Sequence, residues 1–318
     1  MSAPESAVTP PPPSPVAERL KDGGFVLVDK PRGPSSHQVT AWVRDLLEVP
    51  RAGHAGTLDP NVSGLLWIGF GPALKLLPLV LDFPKRYVAV VTFHGKVPGS
   101  ELERVLEEFR APVYQTPPVR SAVRRARRVR TIHRLDLVDR VDERVVLEVV
   151  ADSGTYIRTL AVDLGDAIGA GAHLEELRRT ATGPFREESA VSLSVLSDAI
   201  DLARHGTETA LRGIVHPAAE VWMEFPSITL KDSAASAIVH GANLAGGGVT
   251  GIPRPFAKGA HVVLLTRRGE LVGFGEALVD STEVGKGRHG WVVTSERVLA
   301  DPASFPPSWG TRRVPSRA

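Results

Sequence analysis

The sequence predicts an α/β domain followed by a smaller β-rich module of the small-barrel type. Up to about residue 220, apolar runs of strand length alternate with segments whose apolar residues recur at helical spacing. Beyond residue 226 the apolar runs are short, and clusters of Gly and Pro separate them, as in compact β modules. The 318 residues, 42% of them hydrophobic, are enough for two such domains.

The individual elements follow from apolar periodicity and from capping residues. A helix is predicted after Ser35 or Ser36, either of which can cap it, and it should end near Glu48. Its predicted buried face consists of Val39, Trp42, Val43, Leu46 and Leu47. The other predicted elements of the first domain are strands at 25–30, 65–70 and 84–93, two strands within 131–150, and helices from 72, at 101–110, from 155, at 193–204 and at 208–215. The strands predicted in the second domain are 228–230, 261–265, 271–274 and 291–294.

Composition excludes several classes of protein and site. The chain has no cysteine, which excludes disulfides, thiolate zinc sites and a cysteine nucleophile. Residues 1–20 lack a basic segment and an apolar core, so no secretory signal is predicted and a cytoplasmic location is expected. Residues 64–81 carry a single charge, Lys75, but three glycines and two prolines interrupt them. That pattern favours a buried strand and helix over a membrane span.

A loop with one carboxylate, Asp59, is the first candidate for chemistry. Gly53, Gly56, Pro60 and Gly64 constrain the backbone around it, and an apolar run begins directly afterwards. An acid held at such a bend, next to a buried strand, is well placed for catalysis. The same pattern is typical of an Asx turn, so spacing alone leaves both interpretations open.

A second candidate is an arginine-rich segment. Residues 114–134 contain seven arginines and no acidic residue, although the formal net charge of the whole chain is only +2. Arginine at this density suits contacts to phosphates and stacking on bases. The alternative interpretation is a solubilising loop.

Motifs for nucleotide cofactors and catalytic metals are absent from the sequence. No Gly-rich loop ends in Gly-Lys-Ser/Thr, no Gly-x-Gly-x-x-Gly opens a helix after a strand, and no Gly-x-Ser-x-Gly or His-Glu-x-x-His occurs. We therefore expect no cofactor and no metal.

The remaining candidates are Asp59, the pair Lys85 and Tyr87, and the pair Tyr156 and Arg158. An arginine can orient a carboxylate through a charge-assisted contact. A tyrosine offers a flat face for stacking on a base and a hydroxyl for hydrogen bonding. Taken singly, each has an ordinary structural interpretation: Tyr87 as core, Tyr156 as packing and Arg158 as a surface charge.

Ordered motifs resemble those of the TruB/dyskerin family of RNA pseudouridine synthases. The matching segments are 30–37, 53–60 with 64–66, 85–87, 153–160 and 171–180. Segments 114–123 and 228–244 are more similar to the archaeal dyskerin-like branch than to the bacterial one.

The resemblance implies a fold and its domains. It implies an α/β (α+β) pseudouridine synthase catalytic domain with a central mixed or antiparallel sheet, followed by a small β-barrel PUA domain. The expected bounds are a disordered Pro-rich tail at 1–23, the catalytic domain at 24–222, the PUA domain at 225–300 and a flexible tail at 301–318.

The resemblance also implies residue roles. Asp59 would be the catalytic aspartate, Arg158 would pair with it, and Tyr87 would stack on the target base. The implied substrate-binding residues are His54, Tyr156, Leu177 and Lys30. The implied RNA-binding residues are Arg120, Arg124, Arg125, Arg127, Arg128, Lys231 and His240.

The function implied is the isomerisation of uridine to pseudouridine in RNA, without cofactor or metal. The expected setting is the catalytic subunit of an archaeal H/ACA guide-RNA particle. Its partners would be guide RNA, rRNA, possible tRNA substrates, a small zinc-ribbon-like protein, a glycine-arginine-rich-type protein and a kink-turn-binding protein. The alternatives are a stand-alone synthase acting on the tRNA T-loop and an RNA-binding scaffold whose chemistry is dispensable.

Overall fold

The chain forms two compact units. The computed structural model describes residues 20, 23–116, 126–285 and 290–305. The units are Met1–Ala218 and Ala219–Ala318, so the division falls just before the predicted boundary. Most of the predicted N-terminal tail lies outside the described residues. Residues Pro302–Ser304 of the predicted C-terminal tail form a 3₁₀ turn, and the tail beyond 305 lies outside the described residues.

A single sheet organises the first unit. Its described strands are β1 (Gly24–Lys30), β2 (Ala52–Ala55), β3 (Ser63–Phe70), β4 (Lys85–Phe93), β5 (Pro112–Gln115), β6 (Arg128–Val141), β7 (Arg144–Ala151), β8 (Ala172–Thr182) and β9 (Phe185–Arg186). Their order is β1-β3-β8-β4-β7-β6-β5, with β2 paired to β3 and β9 to β8. The β3–β8 pair is parallel, whereas β4 pairs antiparallel with both β7 and β8. The predicted mixed sheet is confirmed.

Helices cover this sheet and bury an apolar stripe against it. They are α1 (Ser36–Leu46), α2 (Leu77–Asp82), α3 (Gly99–Glu108), α4 (Ile157–Ile168), α5 (Leu193–Arg204) and α6 (Thr209–Ile214). One core cluster joins α3 and α4 to the strands β4 and β7, and another joins α1 and α5 to β1 and β3. Leu160 is typical of the first cluster and Val43 of the second; both are almost fully buried.

Strands β5, β8 and β9 were not predicted, and three further local features differ from the sequence prediction. Trp42 was placed on the buried face of α1 but is 41% exposed, because Val39, Val43 and Leu47 already fill the stripe that faces the core. The helix predicted from residue 72 is split into a 3₁₀ segment, Gly71–Leu76, and α2. Pro78, at the start of α2, has no N–H to continue a preceding helix. Strand β2 was not predicted, since its residues, Ala-Gly-His-Ala, have no strand-like pattern.

Within the described ranges, no helix combines the length and the apolar character needed to cross a membrane. Residues 64–81 instead contribute to β3, the 3₁₀ segment and α2, which confirms the interpretation as short buried elements.

The second unit has its own mixed sheet and core. Its elements are α7 (Ala219–Trp222), β10 (Ser227–Leu230), α8 (Asp232–Val239), β11 (Leu244–Ala245), β12 (Val249–Arg254), β13 (His261–Leu265), β14 (Leu271–Ala277) and β15 (Trp291–Val298). The strand order is β11-β15-β14-β13-β10-β12, with β10 and β13 parallel. Ile238 of α8 packs with Ile228, Val262 and Val293 of the strands, and Phe305 packs against this cluster. The four strands predicted here are confirmed.

Candidate active site

The Asp59 loop connects β2 to β3 and presents its carboxylate to an arginine from another part of the chain. The Asp59 carbonyl oxygen accepts a hydrogen bond from the Val62 N–H at 3.0 Å, which closes a tight turn through the backbone. The carboxylate accepts a hydrogen bond from Nη2 of Arg158, in an ion pair whose two side chains are 53% and 51% exposed. This contact favours the functional interpretation of the loop over a purely local Asx turn.

Lys30 supports this loop from the end of β1. Its Nζ donates to the carbonyl oxygens of Pro31 at 2.7 Å, Pro34 at 2.8 Å and Pro60 at 3.4 Å. The residue is fully buried, and burial lowers the pKa of its ammonium group, an effect that the nearby charge of Asp59 partly opposes. Lys30 was predicted to bind substrate. Its burial and its backbone partners correct this: it braces the loop and presents no exposed surface to a ligand.

Ser36 braces the same loop through Leu58. The Ser36 hydroxyl donates to the Leu58 carbonyl oxygen and accepts from the Leu58 N–H, both at 2.8 Å. The neighbouring Ser35 caps α1, because its hydroxyl accepts from the N–H of Gln38 at 3.2 Å. Two adjacent serines therefore start a helix and fix the residue before Asp59.

His54 lies on β2 as a neutral imidazole with a defined tautomer. The Thr40 hydroxyl donates to the Ser36 carbonyl oxygen at 2.7 Å, so it must accept from Nδ1–H of His54, 2.9 Å away. This leaves Nε2 of His54 as an acceptor for the Thr57 hydroxyl at 3.3 Å. Burial, helped by His37 and by Arg179, lowers the pKa of His54 to about 4. His54 therefore orders the loop without carrying charge at neutral pH.

Arg179 of β8 is a buried cation between the loop and Tyr87. It is 1% exposed, its Nε donates to the Leu65 carbonyl oxygen at 2.8 Å, and its guanidinium lies close to Tyr87. A Cβ at Gly56 would lie 3.0 Å from its Nη1, so the glycine makes room for the guanidinium. Burial lowers the pKa of Arg179, and the contact with Tyr87 partly opposes this. The sequence analysis missed this residue.

Lys85 is a second buried cation, two residues before Tyr87 on β4. Its Nζ donates to the carbonyl oxygens of Val80 at 3.3 Å, Leu81 at 2.5 Å and Phe83 at 2.6 Å. Burial and the charge of Arg179 lower its pKa to about 7. These contacts join the end of α2 to the start of β4 and so fix the strand that carries Tyr87.

Tyr87 and Leu177 lie on neighbouring strands. Tyr87 is paired in register with Arg179, and Ala89 with Leu177, so both pairs face the same side of the sheet. Tyr87 and Leu177 are half-buried and pack against the core cluster of α3 and α4. The structure thus brings these two predicted residues together.

Tyr156 and Arg158 stand at the start of α4. Tyr156 is the N-cap residue, and Arg158 is the second residue of the helix. The side-chain amide of Gln115 accepts from the Tyr156 N–H at 2.9 Å and donates to the Tyr156 carbonyl oxygen at 3.2 Å. Gln115 was not singled out in the sequence, where only its position at the start of the arginine-rich segment marks it.

The predicted RNA-binding residues fall into three groups. Arg120, Arg124 and Arg125 lie outside the described residues. Arg127 stacks over the ring of Tyr114, 4.4 Å from its centroid, and Arg128 begins β6; both are exposed. In the second unit, the exposed residues Lys231 and His240 flank α8 at its two ends. In the part of the chain that the structure describes, no cluster of three or more His, Asp or Glu side chains could hold a metal ion.

Family models match nearly the whole described chain. Residues 44–157 match the TruB family pseudouridylate synthase N-terminal domain, and residues 158–221 match the tRNA pseudouridylate synthase B C-terminal domain. Residues 226–299 match the PUA domain. Asp59 and Tyr87 lie in the first match, and Arg158 begins the second.

Relatives of similar length share this organisation. The chain is 42% identical over 287 residues to a probable tRNA pseudouridine synthase B of Methanothermobacter thermautotrophicus, covering 90% of this chain and 89% of the relative. It is 44% identical over 300 residues to the protein of the same name from Pyrobaculum arsenaticum, covering 94% and 91%. The chain therefore belongs to the TruB family of pseudouridylate synthases. It is an RNA pseudouridine synthase with a C-terminal PUA domain.

Solved structures add a further likeness. A chain in the crystal structure of a Cbf5-Nop10-Gar1 complex matches with a TM-score of 0.82 and 35% identity, covering 95% of this chain and 94% of that one. A chain in an H/ACA RNP bound to a substrate RNA containing 2′-deoxyuridine matches with a TM-score of 0.79 and 33% identity, covering 96% and 95%. The predicted fold class and the predicted family are confirmed.

Proposed function

We propose that this protein isomerises specific uridines as the catalytic subunit of an H/ACA-type guide-RNA particle, with Asp59 as its catalytic residue. The observation that carries the chemistry is the ion pair between Asp59 and Arg158. Lys30 and Ser36 stabilise the Asp59 loop through hydrogen bonds to its backbone. The observation that supports the guide-RNA setting is the likeness, over 95% of the chain, to a protein crystallised with Nop10 and Gar1.

We propose a role for each side chain around the carboxylate. Isomerisation breaks the N1–C1′ bond, rotates the uracil and forms a C5–C1′ bond. C5 then loses its proton to a protein base or to solvent, and N1 takes up a proton, so the net composition is unchanged. Asp59 is exposed enough to meet a uridine that has left its stack, which costs a few kcal/mol. Arg158 orients the carboxylate through a charge-assisted bond. Tyr87, close to Arg179, offers its ring to the base, and Leu177 lies on the same side of the sheet.

The remaining predicted residues are proposed to contact the flipped nucleotide or the phosphates of the RNA. His54 and Tyr156 are proposed to line the site of the flipped nucleotide. The arginines Arg120, Arg124, Arg125, Arg127 and Arg128 are proposed to grip phosphates, with Lys231 and His240 contributing from the PUA domain. Such contacts carry no sequence information by themselves, which leaves target choice to RNA shape or to a guide.

A second candidate function is a stand-alone tRNA pseudouridine synthase. The observation that favours it is the name of the relatives, tRNA pseudouridine synthase B, at 42% and 44% identity. The partners proposed for the first function are guide RNA, rRNA and the H/ACA proteins of the zinc-ribbon-like, glycine-arginine-rich and kink-turn-binding kinds. The second function needs none of them.

Pseudouridine mapping on purified components separates the two functions. The protein is incubated with tRNA transcripts and with an rRNA fragment, each with and without a matching guide RNA and partner proteins. We expect conversion of the rRNA uridine that the guide RNA selects only when the guide RNA and the partner proteins are present. Conversion of tRNA by the protein alone, unchanged by guide, would instead establish the stand-alone function. An exchange in the guide sequence that moves the modified position is the internal control.

A further inference from the structure

Gln115 clamps the start of the helix that carries Arg158. Gln115 is the last residue of β5, its side chain is 2% exposed, and both ends of its amide contact the backbone of Tyr156. The Tyr156 N–H donates to Oε1 at 2.9 Å, and Nε2 donates to the Tyr156 carbonyl oxygen at 3.2 Å. The two residues are 41 positions apart, so this bond pair ties two distant segments together.

The clamp matters because α4 has no side-chain cap of its own. Tyr156, the N-cap residue, makes no capping hydrogen bond through its side chain, and the Thr155 hydroxyl is used by the carbonyl oxygen of Asp152 at 2.8 Å. The same Tyr156 carbonyl oxygen accepts the first helical bond, from the Leu160 N–H at 3.0 Å. Besides the core packing of Ile157 and Leu160, Gln115 therefore holds the first turn in place.

We propose that Gln115 is a positioning residue, which holds the first turn of α4 so that Arg158 meets Asp59. Arg158 follows Tyr156 by two residues and reaches the carboxylate with an exposed side chain that has few other constraints. A shift of the helix start moves the guanidinium directly, and displacements of about 1 Å can cost on the order of 10²-fold in rate. The inference rests on the proposed role of Arg158.

The clamp needs one acceptor and one donor on the same side chain, and among Gln, Glu and Leu only the amide of Gln provides both at neutral pH. A leucine offers neither donor nor acceptor, so the Tyr156 N–H loses its partner and the Tyr156 carbonyl oxygen keeps only the Leu160 N–H. An ionised glutamate accepts from the Tyr156 N–H but meets the Tyr156 carbonyl oxygen with a second lone pair. A protonated glutamate regains the donor. Of the charged side chains on the packed elements, Arg128 pairs in register with Gln115 on β6, and Arg158 follows Tyr156 by two residues on α4.

The test compares Gln115→Leu and Gln115→Glu with the unchanged chain and with Arg158→Ala, in single-turnover assays on guide-bound or free substrate RNA. We expect Gln115→Leu to slow pseudouridine formation about 10-fold or more while RNA affinity stays within about 2-fold. On an Arg158→Ala background the same substitution should slow the reaction no further, because its effect passes through Arg158. Gln38→Leu, at an exposed glutamine of α1, is the matched control and should react at the unchanged rate.

The pH profile provides the second readout. The rate of Gln115→Glu relative to the unchanged chain should rise as the pH falls from about 8 to about 5.5, as the carboxyl gains a proton. If the Gln115→Leu variant does not fold, the pH dependence of the rate of Gln115→Glu, relative to the unchanged chain, tests the inference by itself. A flat ratio, or equal slowing by Gln115→Leu with and without Arg158, would overturn the inference. A normal rate for Arg158→Ala itself would instead overturn the proposed role of Arg158.

Discussion

Nη2 of Arg158 donates a hydrogen bond to Oδ2 of Asp59 across 99 positions of the chain. The loop of Asp59 is built by β2 and β3, whereas Arg158 comes from the first turn of α4. The pair thus brings the two family-model segments, 44–157 and 158–221, together at one carboxylate.

Replacing Arg158 by lysine should slow the reaction without weakening RNA binding. Lysine keeps the positive charge but has a point-like ammonium group in place of the planar fork, so it orients a carboxylate less well. We expect the single-turnover rate to fall by about 10- to 100-fold. Arg144→Lys is the control, since Arg144 holds Glu175 in a similarly exposed ion pair. Equal rates for both variants would show that the geometry of Arg158 does not matter.

Gly64 should tolerate no side chain. Its φ is +101°, and a Cβ there would lie 2.2 Å from the carbonyl oxygen of Arg179, its partner in the parallel β3–β8 pair. Gly64→Ala should therefore lower the free energy of unfolding by about 2 kcal/mol or more, measured by urea denaturation. Gly99→Ala, with no atom near the new Cβ, is the control and should change stability by less than about 1 kcal/mol. A mild effect at Gly64 would contradict the close approach of the two strands.

Arg179 should matter for catalysis mainly through Tyr87. Arg179→Met replaces a buried cation by an apolar side chain of comparable length and removes the positive charge beside Tyr87. We expect a slower reaction, by about 10-fold, and thermal stability that is close to unchanged, because a buried charge with incomplete partners is costly to keep. On a Tyr87→Phe background the substitution should have little further effect on rate. Independent, multiplying effects of the two substitutions would contradict the coupling.

His54 should remain neutral far below the ordinary pKa of histidine. Its pKa is lowered from 6.5 to about 4, so between these values the unfolded chain binds a proton that the folded chain does not. The free energy of unfolding should therefore fall as the pH drops from about 6.5 toward 4, and His54→Asn should reduce this dependence. The ring resonances of His54, followed by NMR, should not move between about pH 7.5 and 5.5, where ordinary histidines titrate. A midpoint near 6.5 would contradict the buried tautomer assigned here.

The extent of sequence prediction differs between local and long-range features. Strands such as β4 and helices such as α5 were predicted closely, because their apolar periodicity is a local property. Strand β2 was not, since its short side chains obtain their place only by pairing with β3. Asp59 was identified as a candidate from its constrained bend, whereas its pairing with Arg158 came from the family resemblance.

The supports of the site could not be predicted for a related reason. Arg179 lies in an arginine pair on β8, and nothing in its neighbours marks it as the member that turns inward to Tyr87. Gln115 acts on Tyr156, 41 residues away, and only tertiary contact reveals the clamp. Lys30 was predicted to touch substrate, and burial assigns it to the loop instead.

The measurement that tests the central claim most directly is pseudouridine mapping with Asp59→Ala. Its matched control is Asp45→Ala, which removes an exposed carboxylate paired with Arg44 in α1. We predict that Asp59→Ala binds substrate RNA with an affinity within about 3-fold of the unchanged chain, because binding comes mainly from cationic side chains. Its pseudouridine yield should be at background, while Asp45→Ala converts normally. Uridine conversion by Asp59→Ala above background would contradict the account.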